Sequence, residues 1–335
     1  MAKTYGIDIG TCRTKIFKKG KGIVLSEPTF AAFDIKKEKV IAVGKEAHEM
    51  YGRTPPAVLA IRPVRSGVIA DFEIAKGMLV RFFKKVSASD GFAKKRLLVS
   101  FPARISEVER RAIEEIAYEM GASEVLLCEA PLAIAAGAGL PVLEPFGTMV
   151  VDLGGGVTEV SVISLGDIVV ARSSEVSGDE MDQAIVMYLR KMRNVLIGDI
   201  TAERIKMEVG KVPGYDYQGT IEVSGRELTT GRPQLVTVTS DEVAEAIHDS
   251  VEGIVETVKG ALDMTPPELA ADIYESGIFL TGGGSRLRGL PELLSSATGI
   301  TVNLPEDPEK CAIRGLGKMM SDGAFDMSMK KAMKR

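Results

Sequence analysis

The chain has 335 residues, 45% apolar and 26% charged, with a formal net charge of −4. That is a globular balance with room for roughly two domains, and it gives no global basic field for nucleic acid. Two histidines far apart (His48 and His248) and three scattered cysteines (Cys12, Cys128 and Cys311) exclude a zinc-type cluster and fit free thiols in a reducing cytosol.

The first part reads as three short strands, "TYGIDIG", "TKIFKKG" and "GIVLSEP", followed by an irregular segment that contains "VGKEAHEMYGRTPP". A strand, "RLLVSFP", comes next. Ser106 and Glu109 have the S-x-x-E spacing of a capping box. Val108, Ala112, Ile113, Ile116, Ala117 and Met120 then recur at helical spacing up to Gly121. A strand, "EVLLCEA", and a small-residue helix, "PLAIAAGAG", close this part. The second part repeats the plan with strands "GTMVVDLGG", "TEVSVISLG" and "DIVVARSS", helical stretches near 179–193 and 201–210, and a polar strand-like insertion, "GTIEVSGRELTTGRPQLVTVT". A long helix starts at Ser240. The strand "SGIFLTGGG", the helix "GLPELLSSATG", the strand "ITVNLP" and a final helix from about 308 to 320 complete it. Strands alternating with helices imply an α/β fold with helices on the sheet faces, built from two similar halves with a ligand cleft expected between them. No signal peptide is read near the N-terminus, and the most apolar stretch is broken by prolines, glycines and Glu144. A cytoplasmic protein is expected.

The first strand of each half ends in the same kind of turn: "GIDIGTCRT" (6–14) and "VDLGGGVTE" (151–159) both run Asp, Gly, then Thr. Glycines let backbone N–H groups converge on an anion, phosphate above all. An Asp beside phosphate is tolerable when Mg²⁺ bridges the two through its waters. Asp8 and Asp152 are therefore the candidate metal residues. A third cluster, "TGGGSRLRGL" (281–290), follows a strand and opens a helix, a good place for a nucleotide contact.

With these motifs the chain resembles the actin, chaperone ATPase and sugar-kinase superfamily, and more closely the MreB family of bacterial actin-like filament proteins. The resemblance covers roughly residues 4–320. It is carried by "YGIDIGT", "GRTPPAVLAIRPVRSGVIADF", "VERRAIEEIA", "GAGLPV", "MVVDLGGGVTEVSVISLG", "GDEMDQAI", "TAERIKMEVG", "TPPELAADI" and "LTGGGSRLRGL". It implies an actin-like ATPase fold: two duplicated RNase H-like halves around a cleft for ATP or ADP with Mg²⁺, each half carrying a smaller inserted subdomain. The halves would span 1–145, with an insertion at about 30–65, and 146–307, with an insertion at about 180–240. The final helix would pack back on the first half, ahead of a basic, Met-rich tail at 321–335.

By the same resemblance Asp8, Gly10, Thr11, Cys12 and Arg13 form the first phosphate loop, and Asp152, Gly154, Gly155 and Gly156 the second, with Gly178 and Asp179 beside it. Glu203 and Lys206 lie three apart on one helical face. In the family that face meets the adenosine; a solvated ion pair is the alternative. Gly282, Gly283 and Gly284 would hold the adenine and ribose side. Glu129, Thr158 and Glu159 are the candidate catalytic residues.

Two departures stand out. The family usually has two glutamates before the proline of the "PLAIAAG" helix, the second orienting the attacking water. Here the stretch reads Glu129–Ala130–Pro131, and alanine cannot polarise water. Slow hydrolysis is expected, unless Glu129 or Glu159 takes over part of the role. Where the family has "GTANT" this chain has "GTCRT", so Arg13 either adds charge near the phosphates or points to solvent.

The resemblance also implies self-assembly into filaments, peripheral attachment to the inner membrane surface, and cell-wall elongation membrane proteins as partners. Phe92, in "SASDGFAKKRLLV", is the candidate membrane contact, with packing on its own subdomain as the alternative. The tail "AFDMSMKKAMKR" is a second candidate through its basic residues, or a frayed solvated end. A nucleotide-binding regulatory paralogue or a small-molecule kinase of the same fold is the competing function. A kinase would need an acceptor base and sugar-binding insertions, and neither is found.

Overall fold

The structure, a computed structural model, describes residues 2–103 and 105–321. The basic tail from residue 322 onward lies outside the described residues.

The chain opens with β1 (Lys3–Ile9), β2 (Arg13–Lys18) and β3 (Gly22–Pro28). It continues through β4 (Ala31–Asp34), β5 (Lys39–Val43), α1 (Lys45–Met50), β6 (Val58–Ile61), β7 (Val64–Arg65) and β8 (Val68–Ile69). Then come α2 (Phe72–Ser87), β9 (Lys95–Phe101), α3 (Glu107–Glu119), β10 (Glu124–Glu129) and α4 (Ala130–Ala138). The second run holds β11 (Thr148–Leu153), β12 (Thr158–Ser164), β13 (Asp167–Ser174), α5 (Gly178–Arg193), β14 (Val195–Leu196) and α6 (Asp199–Val209). It goes on with β15 (Thr220–Glu227), β16 (Pro233–Thr239), α7 (Ser240–Ala246), α8 (His248–Asp263) and α9 (Pro267–Ser276). It ends with β17 (Ile278–Thr281), α10 (Leu290–Thr298), β18 (Val302–Asn303) and α11 (Cys311–Met319).

The duplication is visible in the sheets. One has the order β10-β9-β1-β2-β3 and the other β18-β17-β11-β12-β13. In both, the first strand of the half sits in the middle, with a hairpin partner on one side and a parallel partner on the other. Chain order thus carries each first strand to the centre of its sheet, where its C-terminal end opens into a loop rather than a sheet edge.

The chain forms two compact units. One comprises the described residues of Met1–Thr148, Ile163–Ala171 and Glu309–Arg335; the other is Met149–Val162 with Arg172–Pro308. The turn between β12 and β13 joins the first unit because Leu165 and Gly166 donate their N–H groups to Glu144 and Val142.

In the first unit, alternation along β1 puts Tyr5 and Ile7 into a core with Ile16, Met78, Leu79, Phe82, Phe83, Ile113 and Ile116. The helix α2 falls in a stretch that the sequence reads as irregular. Its start is capped by Asp71, whose side chain accepts from the Ile74 N–H. Gly77 interrupts its pattern because Val40 comes so close that an added Cβ would stand 2.6 Å from it. The capping box of α3 forms with both of its arms, Ser106 and Glu109. The other face of β1 is closed by α11: a Cβ on Gly6 would lie 2.9 Å from Leu316. α11 meets α4 backbone to backbone, since a Cβ on Gly315 would fall 1.6 Å from the Ala133 carbonyl.

In the second unit the long helix expected from Ser240 is two helices. A capping box of Thr239 and Glu242 starts α7, and the chain leaves helical geometry at Ile247 (φ −95°, ψ 8°) before α8 begins. No helix among the described residues is long and apolar enough to cross a membrane.

Candidate functional site

Each sheet's central strand ends in a glycine turn of the same construction. The Gly10 N–H donates to the Arg13 carbonyl (3.2 Å), and the Gly154 N–H to the Val157 carbonyl (2.9 Å). A Cβ on Gly10 would stand 2.8 Å from that carbonyl oxygen, and one on Gly154 2.9 Å from its own. No other residue fits such a turn without moving the backbone. In both cases an Asp lies two residues before the glycine.

The first loop is held from three sides. Thr29, which follows β3, donates its hydroxyl to the Gly10 carbonyl (2.7 Å) and its N–H to the Cys12 carbonyl (3.0 Å). The Thr14 and Thr29 hydroxyls lie 3.0 Å apart. Gly67, in the turn between β7 and β8, donates to the buried Thr11 hydroxyl (3.1 Å). Asp8 is already engaged at both oxygens: Ser100 donates to Oδ1 (3.2 Å) and Lys15 to Oδ2 (2.9 Å). Lys15 was not among the residues singled out from the sequence, although it sits directly opposite Asp8 across β1 and β2. Arg13 is exposed and turned to β3, where it donates to the Ser26 carbonyl (3.1 Å). Cys12 is half-buried.

In the second loop Thr158 is fully buried and donates to the Val176 carbonyl (2.5 Å); Glu159 is buried next to it. The start of α5 is tied to the glycines. Gly178 donates to the Gly154 carbonyl (3.2 Å), and Asp179 (2.6 Å) and the Ser177 hydroxyl (2.9 Å) both donate to Gly155. Thr281 at the end of β17 donates to Asp152 Oδ1 (3.1 Å). Gly282 follows with φ +83°, a conformation natural to glycine, and any Cβ there would lie 2.3 Å from the Leu153 carbonyl. Gly284 presses on the Leu153 side chain, whereas Gly283 faces open space. The third glycine cluster therefore adjoins the second loop.

Lys206 on α6 links the same region. Its ammonium donates to the Gly178 carbonyl (2.6 Å) and lies 2.8 Å from Asp182 Oδ1. The ammonium thus joins the Gly178 carbonyl to the Asp182 carboxylate. Glu203, a turn earlier, is half-buried. Burial pushes the Asp182 carboxyl up to about 7 against the pull of Lys206, and the charges of Glu203 and Asp179 add to the rise. Asp182 also escaped the sequence reading, because a partner 24 positions away on another helix leaves no local signal.

Glu129 is the residue before α4, and Ala130 is the helix's first residue. Burial, then the charge of Asp167, hold the Glu129 carboxyl above its usual range, with Arg110 pulling the other way. The neighbouring Cys128 thiol is pushed up to about 12 by burial, so it is inert as a nucleophile. Phe92 is fully exposed, at a tight turn in which the Ala93 N–H reaches the Asp90 carbonyl. The turn is anchored inside the protein, where Tyr5 and Lys18 both donate to the Asp90 carboxylate. Burial alone would raise the Asp90 carboxyl; the hydrogen bonds from Lys18 and Tyr5 hold it below the ordinary range.

Comparison with known proteins identifies the family. A family model described as "MreB/Mbl protein" matches residues 2–327. The chain is 44% identical over 334 residues to the cell shape-determining protein Mbl of Bacillus cereus, covering 99% of each chain. It is 49% identical over 320 residues to the cell shape-determining protein MreB of Escherichia coli, covering 94% of this chain and 92% of that one. Among solved structures, MreB5 of Spiroplasma citri bound to ADP superposes with a TM-score of 0.91 at 32% identity, over 100% of this chain and 99% of the other.

The buried Asp182 sets a pH signature. Its carboxyl titrates near 3.8 when unperturbed and at about 7 in the folded chain. The folded state therefore holds the proton more tightly. The resulting stabilisation is complete below the unfolded value and is lost as pH rises through the folded one. The Tm advantage of wild type over Asp182→Asn is expected to shrink from about pH 4 to about pH 7 and to stay level above. Thermal melts across that range that show a widening gap contradict the assignment.

Proposed function

The chain belongs to the MreB/Mbl family of cell shape-determining cytoskeletal proteins with an actin-like fold, and we propose that it binds ATP with Mg²⁺ and assembles into filaments on the inner face of the cell membrane, where they organise cell-wall synthesis. The observation that carries this reading is the repeated turn. Two loops of one construction, each with its glycine N–H and carbonyl locked and an Asp two residues before, have the form of phosphate cradles. The ADP bound to MreB5 supports a nucleotide as the ligand.

The residues fit a magnesium ion by their chemistry. Asp8 and Asp152 are each a carboxylate held in orientation by a hydroxyl, of Ser100 and of Thr281 respectively, and each is of a type that would suit outer-sphere contact with a hydrated Mg²⁺. When bound, the ion neutralises phosphate charge. The remaining steps fall to the chain's own groups. The loop glycines would leave room for the phosphates, Lys206 holds α6 to the start of α5, and the helical face of Glu203 and Lys206 would meet the adenosine. Isothermal titration with ATP and Mg²⁺ is expected to give saturable binding, weakened at least about tenfold, or about 1.4 kcal/mol, by Asp8→Ala or Asp152→Ala. Filaments should pellet with ATP. A wild-type chain that gives no heat and stays monomeric at every concentration overturns the proposal.

Hydrolysis is slow in this reading because Ala130 stands where a water-orienting acid is expected. Burial holds the carboxyl of Glu129, the acid beside it, above its usual range. Ala130→Glu is expected to raise phosphate release by at least about tenfold, towards the lower end of what a positioned acid–base group contributes. Equal rates would show that position 130 has no part in turnover.

Membrane attachment is assigned to the Phe92 turn, whose apolar tip stands clear of the protein with Lys94 exposed beside it. Phe92→Ser should reduce co-sedimentation with anionic phospholipid vesicles several-fold. The melting curve should change by no more than about 0.5 kcal/mol in stability, as for any exposed side chain. Undiminished sedimentation would remove Phe92 from the contact.

A further inference from the structure

The second glycine loop belongs to a closed ring of contacts within its own unit. On one side Lys206 of α6 donates to the Gly178 carbonyl, and Gly178 in turn donates to the Gly154 carbonyl. On the other side Gly282 presses on the Leu153 carbonyl, where an added Cβ would stand 2.3 Å away. α6 and the third glycine cluster are thus two walls that start from the same loop. Gly283, next along the cluster, faces open space.

The two walls meet again beyond the end of α6. The Val212 N–H donates to the Arg288 carbonyl (2.9 Å), and Lys211 and Arg288 form a parallel bridge. A Cβ on Gly289, at φ +80°, would stand 2.5 Å from the Tyr215 ring, so only glycine lets the chains approach this closely. Arg288 closes the junction with its side chain. Its Nη1 donates to the carbonyl of Gly210, the C-cap of α6 (3.0 Å), which sets a cation on the negative end of the helix. Its guanidinium carbon lies 4.4 Å from the centre of the Tyr217 ring, within cation–π range. Tyr217 is itself held at its carbonyl by Lys211 Nζ (2.9 Å) and by the Ser240 hydroxyl (3.1 Å). The flat guanidinium can stack and donate at once, which an ammonium cannot.

We propose that Arg288 is a positioning residue for nucleotide binding: clamped between the end of α6 and the Tyr217 ring, it sets the distance between α6 and the third glycine cluster, and with it the fit of the nucleoside part of the ligand. The inference rests on the nucleotide-binding reading above and deepens it. It divides the site in two. The glycine loops hold the phosphates, whereas the Arg288 clamp pre-organises the slot beside the second loop that receives base and sugar, so that binding does not have to order it.

The test is equilibrium binding of ATP, and of inorganic tripolyphosphate as the base-free probe, to the full chain in Mg²⁺. In Arg288→Met, ATP affinity should fall at least about tenfold, a change of about 1.4 kcal/mol, with tripolyphosphate affinity unchanged. Arg288→Lys, which keeps the charge and loses the flat stacking group, should fall between wild type and Arg288→Met. Tyr217→Phe should bind ATP as wild type does, and Tyr217→Leu should follow Arg288→Met; if Arg288→Met does not fold, the Tyr217 pair decides. A residue that only supports the fold weakens both probes alike, and that result overturns the proposal. So does unmoved ATP affinity in either Arg288→Met or Tyr217→Leu. A wild type that binds the two probes equally, or ATP alone, contradicts the division of the site and overturns the proposal without any variant. Absence of binding to both probes in the wild type defeats the nucleotide reading itself and is distinguishable from these.

Discussion

A carbonyl oxygen stands within 3 Å of where a Cβ would be at Gly10 and again at Gly154, and most of the site follows from that crowding. The turn can close there only on glycine. Once closed, it fixes the direction in which the chain leaves each central strand. An Asp two residues earlier is thereby carried to the strand end, and the Thr four residues after the glycine is driven inward. The next segment must then return over the loop. In the first half Thr29 does this after the third strand and caps the Gly10 carbonyl. In the second half Gly178 does it after the third strand and caps the Gly154 carbonyl. The same carbonyl is thus closed by the same topological segment in both halves, once with a hydroxyl and once with a backbone N–H.

The loops differ in how far their bracing reaches. The first is tied to the short β7–β8 hairpin through Gly67 and Thr11. The second is tied to two helices and a further strand. α5 starts on its glycines, Lys206 of α6 grips the Gly178 carbonyl, and Gly282 lies on the backbone of β11. A displacement of the second loop therefore has to move α5, α6 and the β17 end with it, whereas the first loop transmits to a hairpin and to β3. Such linked, well-packed elements are the means by which a bound phosphate can be felt at a distance.

The parts legible in the sequence are those whose signal is local. The glycine turns, the capping box at Ser106 and the succession of strands along each half all follow from local spacing. What escaped was set by partners distant in the chain. α2 has a sound apolar stripe, but Gly77 breaks its helical pattern, and the reason, Val40 pressing on it, lies on another strand. The helix from Ser240 reads as continuous because its apolar spacing continues through Ile247, yet the backbone departs there. Arg13 drew notice over Lys15 because it departs from the family's "GTANT". Cross-strand register decides otherwise: it sets Lys15 opposite Asp8 and leaves Arg13 opposite Pro28, within reach of Ser26. The Asp182–Lys206 pair joins two helices and has no sequence mark at all.

Holding a nucleotide and hydrolysing it make different demands on such a site, and this chain meets them unequally. Holding requires backbone turns and fixed charges, and each half has a closed glycine turn with an Asp two residues before it. Hydrolysis requires in addition one side chain able to take a proton from water. At the start of α4 that position is Ala130, which offers no such group, while burial holds the neighbouring Glu129 carboxyl above its usual range. A filament subunit with this site is expected to keep its triphosphate long after assembly rather than to use hydrolysis as a rapid clock.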